Sequence, residues 1–213
     1  MDASTPWMNA GILRNGRWLA LERAEGDALT LLPELVKSVL AKCGMTLDAV
    51  TTLIHCEGPG ALLGLRLASM MIEAWRASLP VKPELLAYRS LDMAAAILDL
   101  DKPAEPYLVA TSFRKGIYIV HPSSGQDEEL VDEATFNAMP HPRHLIVQRH
   151  IKSNAPGAIP LAYDLTRLPD AIAARPGLLH AAPAATAYAP QYAEYKLWDG
   201  QRHKAPDQPP SGR

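Results

Sequence analysis

The chain lacks the basic excess of a free-standing nucleic-acid binder: 21 Lys and Arg stand against 23 Asp and Glu among 213 residues, a formal net charge of −2. Contact with RNA would therefore need a basic partner. Only two cysteines occur, Cys43 and Cys56. That is too few for a disulfide framework, and their apolar neighbours predict two buried free thiols. The opening residues, Met1-Asp2-Ala3-Ser4-Thr5, show no basic-then-apolar signal pattern. The most apolar stretch, Ala61 to Leu79, is broken by Arg66, Glu73 and Arg76, which excludes a membrane span. The expected location is the cytoplasm, with no membrane contact. No Lys-Ser/Thr follows a glycine loop, and no Gly-x-Gly-x-x-Gly or Gly-x-Ser-x-Gly occurs. There is no internal period of roughly 20–50 residues.

What is present describes an α/β protein of one two-lobed domain or two small domains. Asn15-Gly16 between apolar runs predicts a hairpin over Asn9 to Arg23. Asp27 suits an N-cap for a helix running to Cys43, ended by Gly44 and kinked by Pro33. Val50 to Cys56 is an expected buried strand, followed by the turn Gly58-Pro59-Gly60 and a helix over Ala61 to Leu79. Leu85 to Tyr88 is an expected strand, and Ser90 an expected cap for a helix to Leu100. This alternation predicts a mainly parallel sheet with helices on its faces. A boundary is expected near Asp101 to Pro106, dividing lobes 1–104 and 105–198. A second hairpin should turn through Arg114-Lys115-Gly116, with a strand over Leu145 to Val147 and a helix over Leu165 to Ala174. The Pro-rich, polar residues 199–213 are predicted to be disordered.

The glycine turn opens a helix, a place that suits an anion. Without the phosphate-loop residues, the plainer expectation is a tight turn with close strand-to-helix packing. The helix that follows is apolar on nearly every side: Leu62, Leu63, Leu65, Leu67, Met70, Met71, Ile72, Trp75 and Leu79. A helix lying on a sheet needs one apolar stripe, so either the chain or a partner must cover the rest. Gly64 and Ala68 would let another helix approach closely. The expected partner surface is Leu31, Leu35, Leu62, Gly64, Leu65, Ala68, Met71, Ile72 and Trp75. His141-Pro142-Arg143-His144 lacks accompanying ligands and is expected to be a loop rather than a metal site. Asp2 is either a strand-end catalytic or metal carboxylate or, more plainly, a turn residue near an exposed terminus.

Taken in order, Asp2-Ala3-Ser4-Thr5, Leu31-Leu32-Pro33, Gly58-Pro59-Gly60-Ala61-Leu62-Leu63-Gly64-Leu65-Arg66, Ser90-Leu91 and Pro190-Gln191-Tyr192 resemble the motifs of the TsaB (YeaZ) family. The resemblance runs to about Trp198. It implies an actin-like (ASKHA, ribonuclease-H-like) fold of two lobes. It also implies a part in making N6-threonylcarbamoyladenosine at position 37 of tRNA. In that role the chain is a non-catalytic subunit without cofactor or metal. It pairs with a TsaD-like catalytic subunit, is joined by a TsaE-like ATPase, and meets tRNA only through the complex. The family pairs through its first two helices.

Three departures stand out. The family has an apolar strand before its Asp-x-Ser-Thr, where only Met1 precedes Asp2 here, so the first strand is expected to be cut short or to start upstream. Asp27 replaces a frequent His, and Thr111-Ser112-Phe113-Arg114 replaces the usual Asp-Ala-Arg. Competing expectations are a homodimeric regulatory protein using the same helices, and a small kinase or peptidase-like enzyme.

Overall fold

The computed structural model describes residues 1–122, 128–140, 142–146 and 155–188. The first hairpin pairs β1 (Trp7–Arg14) with β2 (Arg17–Glu25), and both turn residues, Asn15 and Gly16, adopt positive φ as a two-residue hairpin requires. Helix α1 (Ala28–Lys42) starts where expected. The Asp27 carboxylate accepts the Thr30 N–H at 2.9 Å and the Thr30 hydroxyl at 2.8 Å. Gly44 follows the C-cap Cys43 at φ +60°. Pro33 lies inside the helix without ending it. Leu32, Leu35 and Val39 bury one face of α1 against Met8 and Ala10 of β1.

Strand β3 (Thr52–Gly58) begins and ends two residues later than expected. It runs parallel to β4 (Glu84–Arg89), with α2 (Leu62–Ser78) crossing between them. Helix α3 (Ser90–Asp99) follows at once. Ser90 is its first residue rather than its cap, and its hydroxyl donates to the Pro59 carbonyl.

Strands β5 (Leu108–Arg114) and β6 (Ile117–Pro122) form the second expected hairpin. With β7 (Glu129–Asp132), β8 (Arg143–Ile146) and β9 (Ile159–Pro160) they build a sheet ordered β7-β6-β5-β8-β9. The loop expectation for His141 to His144 is thus overturned in part: Arg143 and His144 open β8, paired with β5, and the two residues that follow, Leu145 and Ile146, are both buried there. His141 and Val147 lie outside the described residues. Helix α4 (Glu133–Ala138) caps β7, and α5 (Leu168–Ala174) follows a 3₁₀ turn over Leu165–Arg167. Strand β10 (His180–Ala181), which no sequence pattern announces, pairs antiparallel with β4.

The architecture is therefore mixed α/β, with three sheets flanked by helices among the described residues. The largest core cluster is organised by α3, whose Leu91, Met93, Ala94 and Ile97 are buried. It draws Cys56, Leu65 and Tyr88 from before the expected boundary and Val109, Ile119 and Leu165 from after it. The expected tail, 199–213, lies outside the described residues. Among the described residues no helix is long and apolar enough to cross a membrane.

Candidate functional site

Residues 1–5 run between β1 and β3 and join their sheets. Asp2 and Asn9 exchange main-chain bonds of 2.9 and 2.7 Å. Met1 donates its amine to the Ile54 carbonyl at 2.7 Å and accepts the Cys56 N–H at 3.1 Å. The Ser4 carbonyl then accepts the Ala61 N–H at 2.7 Å, just where α2 begins.

This path carries Asp2 to the junction of the two halves. Its side chain is buried, with the residue 1% exposed, which corrects the expectation of a turn residue near an exposed terminus. Oδ1 accepts the Ser4 N–H at 2.7 Å. Oδ2 accepts the hydroxyls of Tyr88, from β4, at 2.7 Å and Tyr163, from the second half, at 2.8 Å. Burial, and then the Asp2 charge, push both phenols well above their ordinary pKa. The same two causes raise the neighbouring Cys56 thiol, so it stays protonated and is a poor nucleophile. Three donors occupy this carboxylate, and it works as a pin between distant segments. Cys56 is buried as expected and Cys43 is half-buried; both are free. Among the described residues no three His, Cys, Asp or Glu side chains are grouped to hold a metal ion.

The glycine turn has a packing explanation. A Cβ on Gly60 would stand 2.1 Å from the Ser4 carbonyl oxygen, and one on Gly64 would stand 2.6 Å from that of Ala3. Gly58 takes φ +103°, a conformation open to glycine. Pro59 completes the turn and holds Ser90 through its carbonyl. Gly58, Pro59 and Gly60 thus let the segment at residues 3–4 pass against the start of α2. The close approach expected of a second helix at Gly64 is made instead by this protein's own backbone.

Helix α2 has two faces with different surroundings. Gly64, Leu65, Ala68 and Ile72 are buried within the chain, as is Leu35 of α1. Those five members of the expected partner surface belong to the protein's own core, because α2 lies on β3 and on residues 3–4. Leu31, Met71 and Trp75 are half-buried, and Leu62 is exposed. The most exposed apolar side chains here are others: Leu63 and Met70, each 69% exposed, and Leu29 on α1 at 67%. Leu63 and Met70 are seven residues apart, two helical turns on one face. That spacing, set opposite Leu65, Ala68 and Ile72, was the available signal. Tyr88 and Tyr163 gave none, since their meeting with Asp2 spans 86 and 161 residues of chain.

No protein-family model matches the sequence, and no curated protein matches it by sequence. Solved structures do resemble the fold. YeaZ from Pseudomonas aeruginosa superposes with a TM-score of 0.62 at 20% identity, covering 88% of this chain and 96% of that one. An uncharacterized protein with similarity to peptidase YeaZ from Pseudomonas aeruginosa gives a TM-score of 0.62 at 22% identity, with the same coverage of both chains. The protein has the fold of YeaZ.

Proposed function

We propose that the protein is a TsaB (YeaZ)-type subunit with an actin-like, two-lobed fold, and that it acts without catalysis of its own. In this role it pairs with a TsaD-like catalytic subunit, and with a TsaE-like ATPase, for N6-threonylcarbamoyladenosine formation at tRNA position 37. The observation that carries this role is the exposure of Leu63 and Met70 on one face of α2, with Leu29 likewise exposed at the start of α1. Large apolar side chains left exposed on one helix face favour a protein partner. Two further observations support it. The buried carboxylate at Asp2 accepts from Ser4, Tyr88 and Tyr163, so most of its acceptor capacity is engaged within the chain itself. The net charge of −2 leaves tRNA binding to a partner. The two hairpins β1–β2 and β5–β6, each opening one half, favour the two-lobed description.

The test is co-elution of the purified protein with a TsaD-like protein at micromolar concentration. A stable pair is expected, and Met70→Glu should abolish it. Separate elution of the two wild-type proteins would overturn the proposal, and self-association through the same face would favour the homodimer.

A further inference from the structure

Residues 180–188 leave the second half and lie back across the first. His180 and Ala181 pair with β4 as β10, and the Ala182 N–H continues to the Leu85 carbonyl at 3.0 Å. Beyond β10 the segment is held by side chains of α2 and β3. The Ala185 N–H donates to Glu73 at 2.7 Å, and Arg76, paired with the same carboxylate at 2.8 Å, donates to the Pro183 carbonyl at 3.3 Å. The Glu57 carbonyl accepts the Tyr188 N–H at 2.7 Å, and its carboxylate lies 3.4 Å from the His180 ring and 3.5 Å from the Thr186 hydroxyl. Apolar contact is slight by comparison. Five of the nine residues are alanine and none is buried, although Ala182 and Ala185 pack on the cluster of Leu53, Ile72 and Leu85. Few buried contacts and many bonds near solvent describe a segment that opens before the core does. Under it lies His55, fully buried. Its Nδ1 stands 3.3 Å from the Leu86 carbonyl of β4, the main chain of Thr186 adjoins the ring, and Nε2 has no hydrogen-bond partner among the described residues. The charged and titratable groups around it are the Met1 ammonium, Glu57 on its own strand, Glu73 and Arg76 on α2, and His180 on β10.

We propose that residues 180–188 form a cover that opens as a unit ahead of global unfolding, and that protonation of His55 beneath it drives the opening. While the cover is closed, burial and then the Met1 ammonium hold the ring below its ordinary pKa, against the pull of Glu57 and the main-chain groups of Leu86 and Thr186. Opening admits water, so the ring returns to a pKa of about 6.5 and takes up a proton. The closed form therefore keeps its full advantage above about pH 6.5 and loses it as pH falls below. Glu73 acts in a lower range. The Ala185 N–H, with Arg76 adding to it, lowers its pKa, so its hold on the segment is complete above its ordinary 4.5 and is lost only below that. His180 works in the opposite direction to His55, because a protonated ring is drawn to Glu57 and favours closure. Opening uncovers the Leu53, Ile72 and Leu85 cluster and frees the edge of β4 that β10 occupies.

The experiment is native-state hydrogen exchange on the full chain at pH 7.5 and pH 5.5, each rate corrected for intrinsic chemical exchange. The amides of Ala182, Ala185 and Tyr188 should share one opening equilibrium, less protected by at least about tenfold than Val109 in the centre of the second sheet. One proton taken up at a pKa of about 6.5 sets a ceiling of about a tenfold rise in that opening between the two pH values. The wild type should rise by at least about threefold, His180→Ala should move toward the ceiling, and His55→Gln should show no rise. Exchange of the three amides only with Val109, or an opening that does not change with pH, would overturn the proposal. So would a rise that persists in His55→Gln or shrinks in His180→Ala. Should His55→Gln fail to fold, the wild type and His180→Ala decide the matter by the same criteria.

Discussion

Both faces of α2 carry large apolar side chains, and they differ in what covers them. Leu65, Ala68 and Ile72 are sealed by β3, α1 and the segment at residues 3–4, whereas Leu63 and Met70 stand 69% exposed. An all-round apolar helix announces that two coverings exist. It does not say which one the chain supplies itself. The difference follows from Gly60 and Gly64, which draw the chain's own backbone against one side and leave the other bare.

The sharpest way to break this comparison is to place the same charge on each face. Leu65→Asp would bury a carboxylate without a partner, at a cost of about 5 kcal/mol, enough to unfold a protein of ordinary stability. Circular dichroism of that variant should show loss of cooperative melting. A folded Leu65→Asp protein would mean that the inner face is less enclosed than described.

Next in size is the pin below α2. Asp2→Ala would strand the Tyr88 and Tyr163 hydroxyls and the Ser4 N–H, each buried, and should cost about 3 kcal/mol in urea unfolding. Little change in the midpoint would show that the junction of the halves does not depend on this carboxylate.

How much of this was legible in the sequence depends on the range of the interaction. The hairpin at Asn15-Gly16 and the Asp27 cap rest on residues within three or four positions, and the structure places both as expected. The tight packing behind Gly58, Pro59 and Gly60 was legible as a category. What the glycines make room for, Ala3 and Ser4, lies more than fifty residues away and leaves no periodic trace. Asp2 was misplaced for the same reason: an acidic residue beside a terminus looks solvated until Tyr163 is brought to it. On α2, apolar composition located the helix surface but could not rank Leu63 and Met70 above Leu65 and Ala68. That ranking is set by the direction from which β3 and residues 3–4 arrive.

A smaller effect is expected from pH. His55 is fully buried, and burial first, then the Met1 ammonium, lower its pKa below the ordinary 6.5, with Glu57 opposing. Burial lowers His121 and His144 as well. The unfolded chain takes up these protons at higher pH than the folded one. The histidine contribution to stability is therefore complete above about pH 6.5 and is lost as pH falls below it. The melting temperature should drop between pH 7 and pH 5, and His55→Gln should flatten part of that drop. A melting temperature that rises toward pH 5 would contradict the burial of these rings.

The smallest effect on stability, and the largest on association, belongs to the outer face of α2. Met70→Glu should stay within about 0.5 kcal/mol of the wild type in unfolding, because its side chain touches solvent. Sedimentation of this variant with a TsaD-like protein tests the central claim most directly. The account predicts a folded protein whose affinity for that partner falls by at least about a hundredfold, equivalent to roughly 2.7 kcal/mol. A folded Met70→Glu protein that binds the partner as tightly as the wild type would contradict it.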